Sequence, residues 1–349
     1  MFRHIMLRSN RRLALVAVLM VSMVYGIGYG LIPIFDNCRV TRELLPVRND
    51  LKHACLRNAF SDIVLVIVYN YPFYSSIPLL SALYKNAFPT IMFCGPKKSR
   101  KHNVEALEIH RGYFSYRCMS RAIEKHPGRT GYLLISDDVL LNYWNLVDMD
   151  RDKIWEGAKI PVKRNNTIPE NWFWWNSEWG KKACQEAYNE IWALRELFYF
   201  ERLPEMSYGK VRSSKSTWNI EESINILKDN GNGTFPCFRG RSDIFYIPGK
   251  FADAFKTLSY IFYKHRSFLE IAVPTMCRML DRAEKFEYIP GIYMPGYSKD
   301  KQSERFWRLY DKTLAFIHSF KLHYKHDGAL NKALLRRWII DYSDSLSKC

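Results

Sequence analysis

The 349-residue sequence predicts an α/β domain, a mostly parallel sheet flanked by helices, preceded by a single N-terminal transmembrane helix. Three observations carry this expectation. Residues 13–35 hold no charged side chain, and from residue 63 onward β-branched apolar runs alternate with helical stretches. The hydrophobic (48%) and charged (25%) fractions are those of an ordinary globular chain, and the mean hydropathy of -0.27 is too low for a many-pass membrane protein. Collagen-like, low-complexity and small disulfide-scaffold classes are excluded. With 52 Lys and Arg against 35 Asp and Glu, the net charge of +17 suggests a polyanionic neighbour: nucleic acid, anionic lipid, a nucleotide's phosphates or an acidic glycan.

The segment Leu13–Phe35 is long enough, at about 1.5 Å per residue, to cross a hydrocarbon core of ~30 Å. Arg3, Arg8, Arg11 and Arg12 precede it, whereas Asp36, Arg39, Arg42 and Glu43 cancel beyond it. The positive-inside rule then makes residues 1–12 a cytoplasmic tail and places the rest in the lumen or outside. A cleaved signal peptide is the competing reading, but the apolar run outlasts an h-region and no A-x-A site closes it. Gly26 and Gly30 form a GxxxG that could pair two copies as a homodimer. Residues 36–60, polar and broken by Pro46, read as a short stem, and 61–340 as the lumenal domain with halves at 61–180 and 181–340. The sequons at Asn165 and Asn232 fit that placement. Eight cysteines permit disulfides of undetermined pairing, and none has a zinc-ligand spacing. Without an RNP, KH or zinc-finger signature, nucleic acid is not expected as a partner.

Ile63–Val68 (IVLVIV) reads as a parallel strand covered on both faces, ended by Tyr69-Asn70-Tyr71-Pro72. A helix over 76–85 and a strand over 90–93, ending at Cys94-Gly95-Pro96, complete a β–α–β unit. An amphipathic helix over 115–126 is closed by Pro127-Gly128, and Gly131–Ile135 is the third strand. Ligands of such sheets sit at the carboxyl ends of strands, which makes Tyr69 and Asn70 candidates to grip a base or ribose. Neither GxGxxG nor GxxxxGK[ST] occurs outside the apolar segment, so a dinucleotide or P-loop site is not supported.

Ser136-Asp137-Asp138 follows the third strand directly. Adjacent carboxylates there repel one another unless a cation lies between them, and oxygen ligands suit Mg²⁺ or Mn²⁺ bridging a diphosphate. The bland alternative is a turn-capping Asp137 beside a solvated Asp138. Asp148-Met149-Asp150-Arg151-Asp152 contains two Asp-x-Asp triplets, but no apolar strand leads into them, and an EF-hand would need Gly and Glu where Lys153 and Lys159 stand. Arg111, Arg117 and Arg121 could reach a nucleotide's base or phosphates, or form a solvated helix face. Trp172, Trp174, Trp175 and Trp179 could stack on sugar rings or pack a core.

GYLLISDDVLLN resembles the acidic-motif strand of glycosyltransferases of the GT-A fold, exostosin-like enzymes in particular. The anchor, stem and lumenal-domain layout is similar to that of Golgi glycosyltransferases. The resemblance covers roughly residues 61–320, and Ser136 departs from a strict Asp-x-Asp. It implies Asp137 and Asp138 as metal ligands. Arg241–Pro248, the helical stretch after it and Phe268–Thr275 resemble the acceptor-side half, where Asp243 and Glu270 would bind acceptor hydroxyls or act as base. Glu270 stands before an apolar run, where desolvation raises a carboxyl pKa. Phe316-Ile317-His318-Ser319-Phe320-Lys321-Leu322 resembles a His-Pro-x-Lys element, with Ser319 in place of proline. This implies His318 as a metal ligand and Lys321 against the donor phosphates.

The reading implied is a type II, Golgi or ER glycosyltransferase that moves a sugar from a UDP-linked donor to a glycan or protein acceptor with Mn²⁺ or Mg²⁺. The rival is a non-catalytic lumenal protein of the same fold that binds a glycan or acidic polysaccharide. The topology expectation is that, in sealed microsomes, added protease removes only the N-terminal tail and leaves the domain protected. A mature chain beginning near Asn37 would establish the cleaved signal peptide instead.

Overall fold

The computed structural model describes residues 52–157, 162–201, 219–294 and 302–323, together with residues 331, 332, 335 and 337–342. The apolar segment 13–35, with Gly26 and Gly30, and residues 36–51 of the stem lie outside the described residues. Among the described residues no helix is long and apolar enough to cross a membrane.

The strands are β1 (Ile63–Val68), β2 (Thr90–Gly95), β3 (Val104–Ala106), β4 (Gly131–Ser136), β5 (Val139–Leu141), β6 (Trp155–Gly157), β7 (Ile244–Pro248), β8 (Glu287–Ile289), β9 (Gly291–Tyr293) and β10 (Phe316–His318). The helices are α1 (Lys52–Phe60), α2 (Ile77–Tyr84), α3 (Tyr116–Lys125), α4 (Phe173–Asn176), α5 (Lys181–Glu201), α6 (Ile220–Asn230), α7 (Ala252–Lys264), α8 (Leu269–Leu280) and α9 (Gln302–Leu309). A seven-stranded sheet runs β3-β2-β1-β4-β7-β6-β8, and a three-stranded sheet runs β5-β10-β9. Parallel pairing joins β3, β2, β1 and β4, and also β6 to β8; β7 is antiparallel to both β4 and β6. The expected mostly parallel sheet is present, with β7 as its reversed strand.

Alternation along β1 explains why it is apolar at every position. Val64, Val66 and Val68 join one core with Cys118, Met119, Ala122 and Ile123 of α3. Ile63, Leu65 and Ile67 join another with Leu79, Leu80 and Leu83 of α2. α1 adds Leu56 and Phe60 to the second core, with the Phe60 ring 4.8 Å from Phe88. The folded domain therefore starts inside the segment expected to be stem. Cys94 at the end of β2 is disulfide-bonded to Cys118, and Cys184 of α5 to Cys237, which gives two of the pairings the sequence left undetermined.

A buried ion pair ties α8 to the main sheet. Glu156 on β6 accepts two hydrogen bonds from Arg278, at 2.6 and 2.9 Å, and both side chains are almost fully enclosed. Removing one member leaves an uncompensated buried charge. Arg278→Met should accordingly destabilise the domain by about 3–5 kcal/mol, and Glu156→Gln with Arg278→Met should recover part of that loss. Denaturant unfolding of the single and double variants checks this.

Candidate active site

The main sheet fixes the acidic motif through its backbone. Ser136 N–H donates to the Asp243 carbonyl at 2.9 Å, and Asp137 N–H to the Val68 carbonyl at 2.9 Å, so the motif sits at the carboxyl ends of β1 and β4. The chain then enters β5, which pairs antiparallel with β10 in the register Val139↔His318. The Phe320 N–H donates to the Asp138 carbonyl. β9 flanks β10 on its other side, with Tyr293↔His318.

This register assembles side chains from distant parts of the chain. His318 Nε2 stands 3.4 Å from Asp138 Oδ1 and 3.6 Å from Asp243 Oδ1, while Lys321 Nζ pairs with Asp138 Oδ2. Lys321 and Asp138 are 183 positions apart in sequence. Asp137 and Asp138 are only 9% and 6% exposed. Burial raises the pKa of both carboxyls, but the outcomes differ. At Asp138 the charges of His318 and Lys321 overcome burial and hold the carboxyl well below the usual range. At Asp137 burial and the Asp138 charge combine, and its pKa rises well above the ordinary carboxylate value. Burial lowers the His318 pKa, but Asp243 and Asp138 outweigh it and keep the imidazole more basic than usual.

Among the described residues Asp138 Oδ1 is buried without a hydrogen-bond partner. Among the described residues no three His, Cys, Asp or Glu side chains are grouped to hold a metal ion by themselves. Asp138 Oδ1, and His318 Nε2 once its proton has left, offer two donors. A Mg²⁺ or Mn²⁺ ion that bridges phosphates needs no more than one or two protein ligands, so the residues fit such an ion with substrate oxygens completing its shell. Asp137, expected as a further ligand, is buried beside Asp138, and that burial together with the Asp138 charge raises its pKa.

The acceptor-side residues lie next to this cluster. Glu270 opens α8, its carbonyl accepts the Gly240 N–H at 2.9 Å, and its carboxylate pairs with Arg241 at 2.9 Å. Burial, reinforced by Asp243, raises the Glu270 pKa against the pull of Arg241 and Arg239. The Arg241 guanidinium lies 5.5 Å from the Tyr293 ring centre, and that ring is 5.6 Å from the His318 ring. Tyr293 was not expected from the sequence; the short apolar triplet Gly291–Tyr293 hints at a strand but not at its partner.

Other expected ligands are engaged with protein partners of their own, although Tyr69 lies close enough to the motif to feel the Asp137 charge. Tyr69 is buried, with its hydroxyl 2.9 Å from Ser76 Oγ and its ring against Tyr74 and Phe93, so it belongs to the core. Asn70 packs against Gly112, where a Cβ would fall 2.0 Å from Asn70 Oδ1. Arg117 lies over the rings of Tyr260 and Tyr263 of α7, at 4.0 and 4.8 Å. Arg121 is held by Glu105 and Glu124 at 2.7 and 3.1 Å. In the second acidic stretch, Asp150 pairs with Lys153 at 3.3 Å and accepts the Asp152 N–H at 2.9 Å, a turn tied to β8 through Glu287, which accepts from the Asp150 N–H at 3.0 Å and pairs with Lys153 at 3.2 Å. Trp174 stacks on Phe268 at 4.4 Å, and Trp175 is buried, so most of the tryptophan cluster is packing. Sequence reasoning also missed Phe73, which stacks on His323 at 4.0 Å just past Lys321.

A family profile described as STELLO glycosyltransferases matches residues 45–197, a span that includes the acidic motif. Two Arabidopsis thaliana proteins are similar to the chain. Probable glycosyltransferase STELLO1 is 22% identical over 235 residues, covering 67% of this chain and 26% of its own length. Probable glycosyltransferase STELLO2 is 21% identical over 237 residues, covering 67% and 27%. These similarities support a glycosyltransferase. They do not carry the nearer resemblance to exostosin-like enzymes, and the chain spans about a quarter of the length of the curated relatives it matches. No solved structure matches.

The opposed pKa shifts in the acidic pair predict opposite stability effects. Because the Asp137 pKa is raised, the folded state holds its proton longer and loses stability as pH rises through the window above the ordinary value; Asp137→Asn should raise the thermal midpoint at about pH 7 and change it little near pH 4. Because the Asp138 pKa is lowered, its stabilisation is present above the ordinary value and lost as pH falls, so Asp138→Asn should lower the midpoint at about pH 7. Thermal unfolding in the presence of a chelator measures both.

Proposed function

We propose that the chain transfers a sugar from a nucleotide-diphosphate donor, UDP-linked, to a glycan or protein acceptor with the help of Mn²⁺ or Mg²⁺. The observation that carries this reading is the buried Asp138, whose Oδ1 lacks a hydrogen-bond partner among the described residues and stands 3.4 Å from His318 Nε2. Asp138 and His318 would hold the ion. When bound, it supplies Lewis-acid stabilisation of the leaving diphosphate. Lys321 already has its ammonium at the same carboxylate and would add positive charge beside the departing phosphates. Asp243 stands 3.6 Å from His318, and Glu270 lies on the same rim with a raised pKa, suited to receive a proton from an acceptor hydroxyl. The apolar segment 13–35 would anchor the chain in the Golgi or ER membrane with this domain lumenal, and Gly26 and Gly30 could pair two anchors.

A second reading has two observations in its favour: Lys321 and His318 already pair with Asp138, and Ser136 stands where a strict motif has an acid. The fold would then bind a glycan or acidic polysaccharide without transfer.

Calorimetry of Mn²⁺ and UDP binding separates the two. The unmutated chain should bind UDP only with Mn²⁺ present, Asp138→Ala should lose that binding, and Asp150→Ala should keep it. His318→Ala should weaken metal affinity by about 10–100-fold. Glu270→Gln should lower transfer by a factor on the order of 10²–10⁴ while UDP binding survives. Unmutated protein that binds no UDP at any Mn²⁺ concentration sinks the transfer reading.

A further inference from the structure

Arg239 is a cation in an unusual setting. Its backbone is fixed by a double bridge to Lys163, with Arg239 N–H donating at 2.9 Å and Lys163 N–H donating back at 3.0 Å. Its guanidinium carbon lies 4.1 Å over the Trp172 ring. The side chain is half-buried, and burial lowers its pKa below the ordinary arginine value. The Glu270 charge reaches it, but among the described residues no carboxylate forms an ion pair or hydrogen bond with it. Its neighbour Arg241 pairs with Glu270, and elsewhere Arg266 pairs with Glu108, Arg282 with Asp229 and Arg195 with Glu221. The next residue, Gly240, donates to the carbonyl of Glu270, so Arg239 stands on the acceptor rim while the Glu270 carboxylate is engaged with Arg241.

We propose that Arg239, stacked on Trp172, is the receptor for a carboxylate carried by the acceptor, so that the acceptor is a uronate-bearing glycan. A partly desolvated guanidinium with a free fork of donors pairs with a planar carboxylate in two parallel hydrogen bonds. The stack on Trp172 fixes the plane of the fork before the ligand arrives, which reduces the ordering that binding requires. The exposed Phe173 and the Trp174 beside it, 5.0 Å apart, offer aromatic edges to the rest of the sugar. This inference rests on the acceptor-side reading of Glu270 given above.

The test measures binding directly, using the full chain in detergent and saturation-transfer NMR. A hyaluronan oligosaccharide should bind at least about 10-fold tighter than a neutral chitin oligosaccharide of the same length, the ratio expected for charge-assisted hydrogen bonds. Arg239→Gln should abolish that preference and leave Mn²⁺–UDP binding unchanged. Arg239→Lys, which keeps the charge without the fork, should lose most of the preference and decides the matter if the Gln variant does not fold. Equal binding of the two oligosaccharides overturns the proposal. So does a preference that survives in Arg239→Gln but is lost in Lys98→Gln with Lys101→Gln, since it would belong to the exposed basic turn between β2 and β3. Loss of the preference in Arg239→Gln alongside absent Mn²⁺–UDP binding in the unmutated chain would uphold the uronate site and remove the transfer reaction.

Discussion

Everything at the candidate site depends on three residue pairs between β5 and β10. The register Leu141↔Phe316, Leu140↔Ile317 and Val139↔His318 turns a sequence separation of well over a hundred residues into contact across one carboxylate. The apolar side chains of these strands are buried on both faces in the same core as α2 and α9, so a slip by one residue would exchange the two faces and misfit the side chains packed against each. The core thus enforces the register, and the register enforces the meeting of Asp138 with His318 and Lys321.

That meeting resolves an electrostatic conflict built into the sequence. Two neighbouring buried carboxyls cannot both ionise cheaply, and here the environment treats them unequally. Asp138 receives the imidazole and the ammonium; Asp137 receives its neighbour's negative charge and a low-dielectric wall. The result is one committed anion rather than two competing ones. Asp138 Oδ1 and His318 Nε2 are the atoms that would hold a divalent cation under the proposed function, with Lys321 paired to the other carboxylate oxygen.

The fold was legible where burial alone decides it. Runs such as IVLVIV and GYLLI are strands because both faces are covered, and the position of Asp137 and Asp138 at a strand end followed from that. Directions of individual side chains were also written in the sequence, though less openly. Tyr69 continues the odd-numbered face of β1 and is buried with Ile63, Leu65 and Ile67, a consequence of the two-residue period. Arg117 and Arg121 flank the apolar stripe Cys118, Met119, Ala122 and Ile123, which faces the sheet, so they lean toward the neighbouring β3 and α7. What no local pattern could reveal is pairing between segments: β9 beside β10, the reversed β7 beside β4, and the disulfide partners. Tyr293 entered the site for that reason alone.

The acceptor rim has a support of its own, separate from the metal-side cluster. Asp243 precedes β7, which pairs with β6, and β6 carries Glu156; Glu270 opens the same helix whose last turn carries Arg278. The buried Glu156–Arg278 pair therefore ties the far end of α8 to the strand next to Asp243, while Gly240 and Arg241 hold the near end through the carbonyl and carboxylate of Glu270. A helix pinned at both ends cannot slide along the sheet without breaking a bidentate ion pair in a medium of low dielectric. Spacing between Asp243 and Glu270 is consequently a property of the core rather than of the loops that carry them, and a change deep in the helix packing would reach the acceptor side before it reached Asp138.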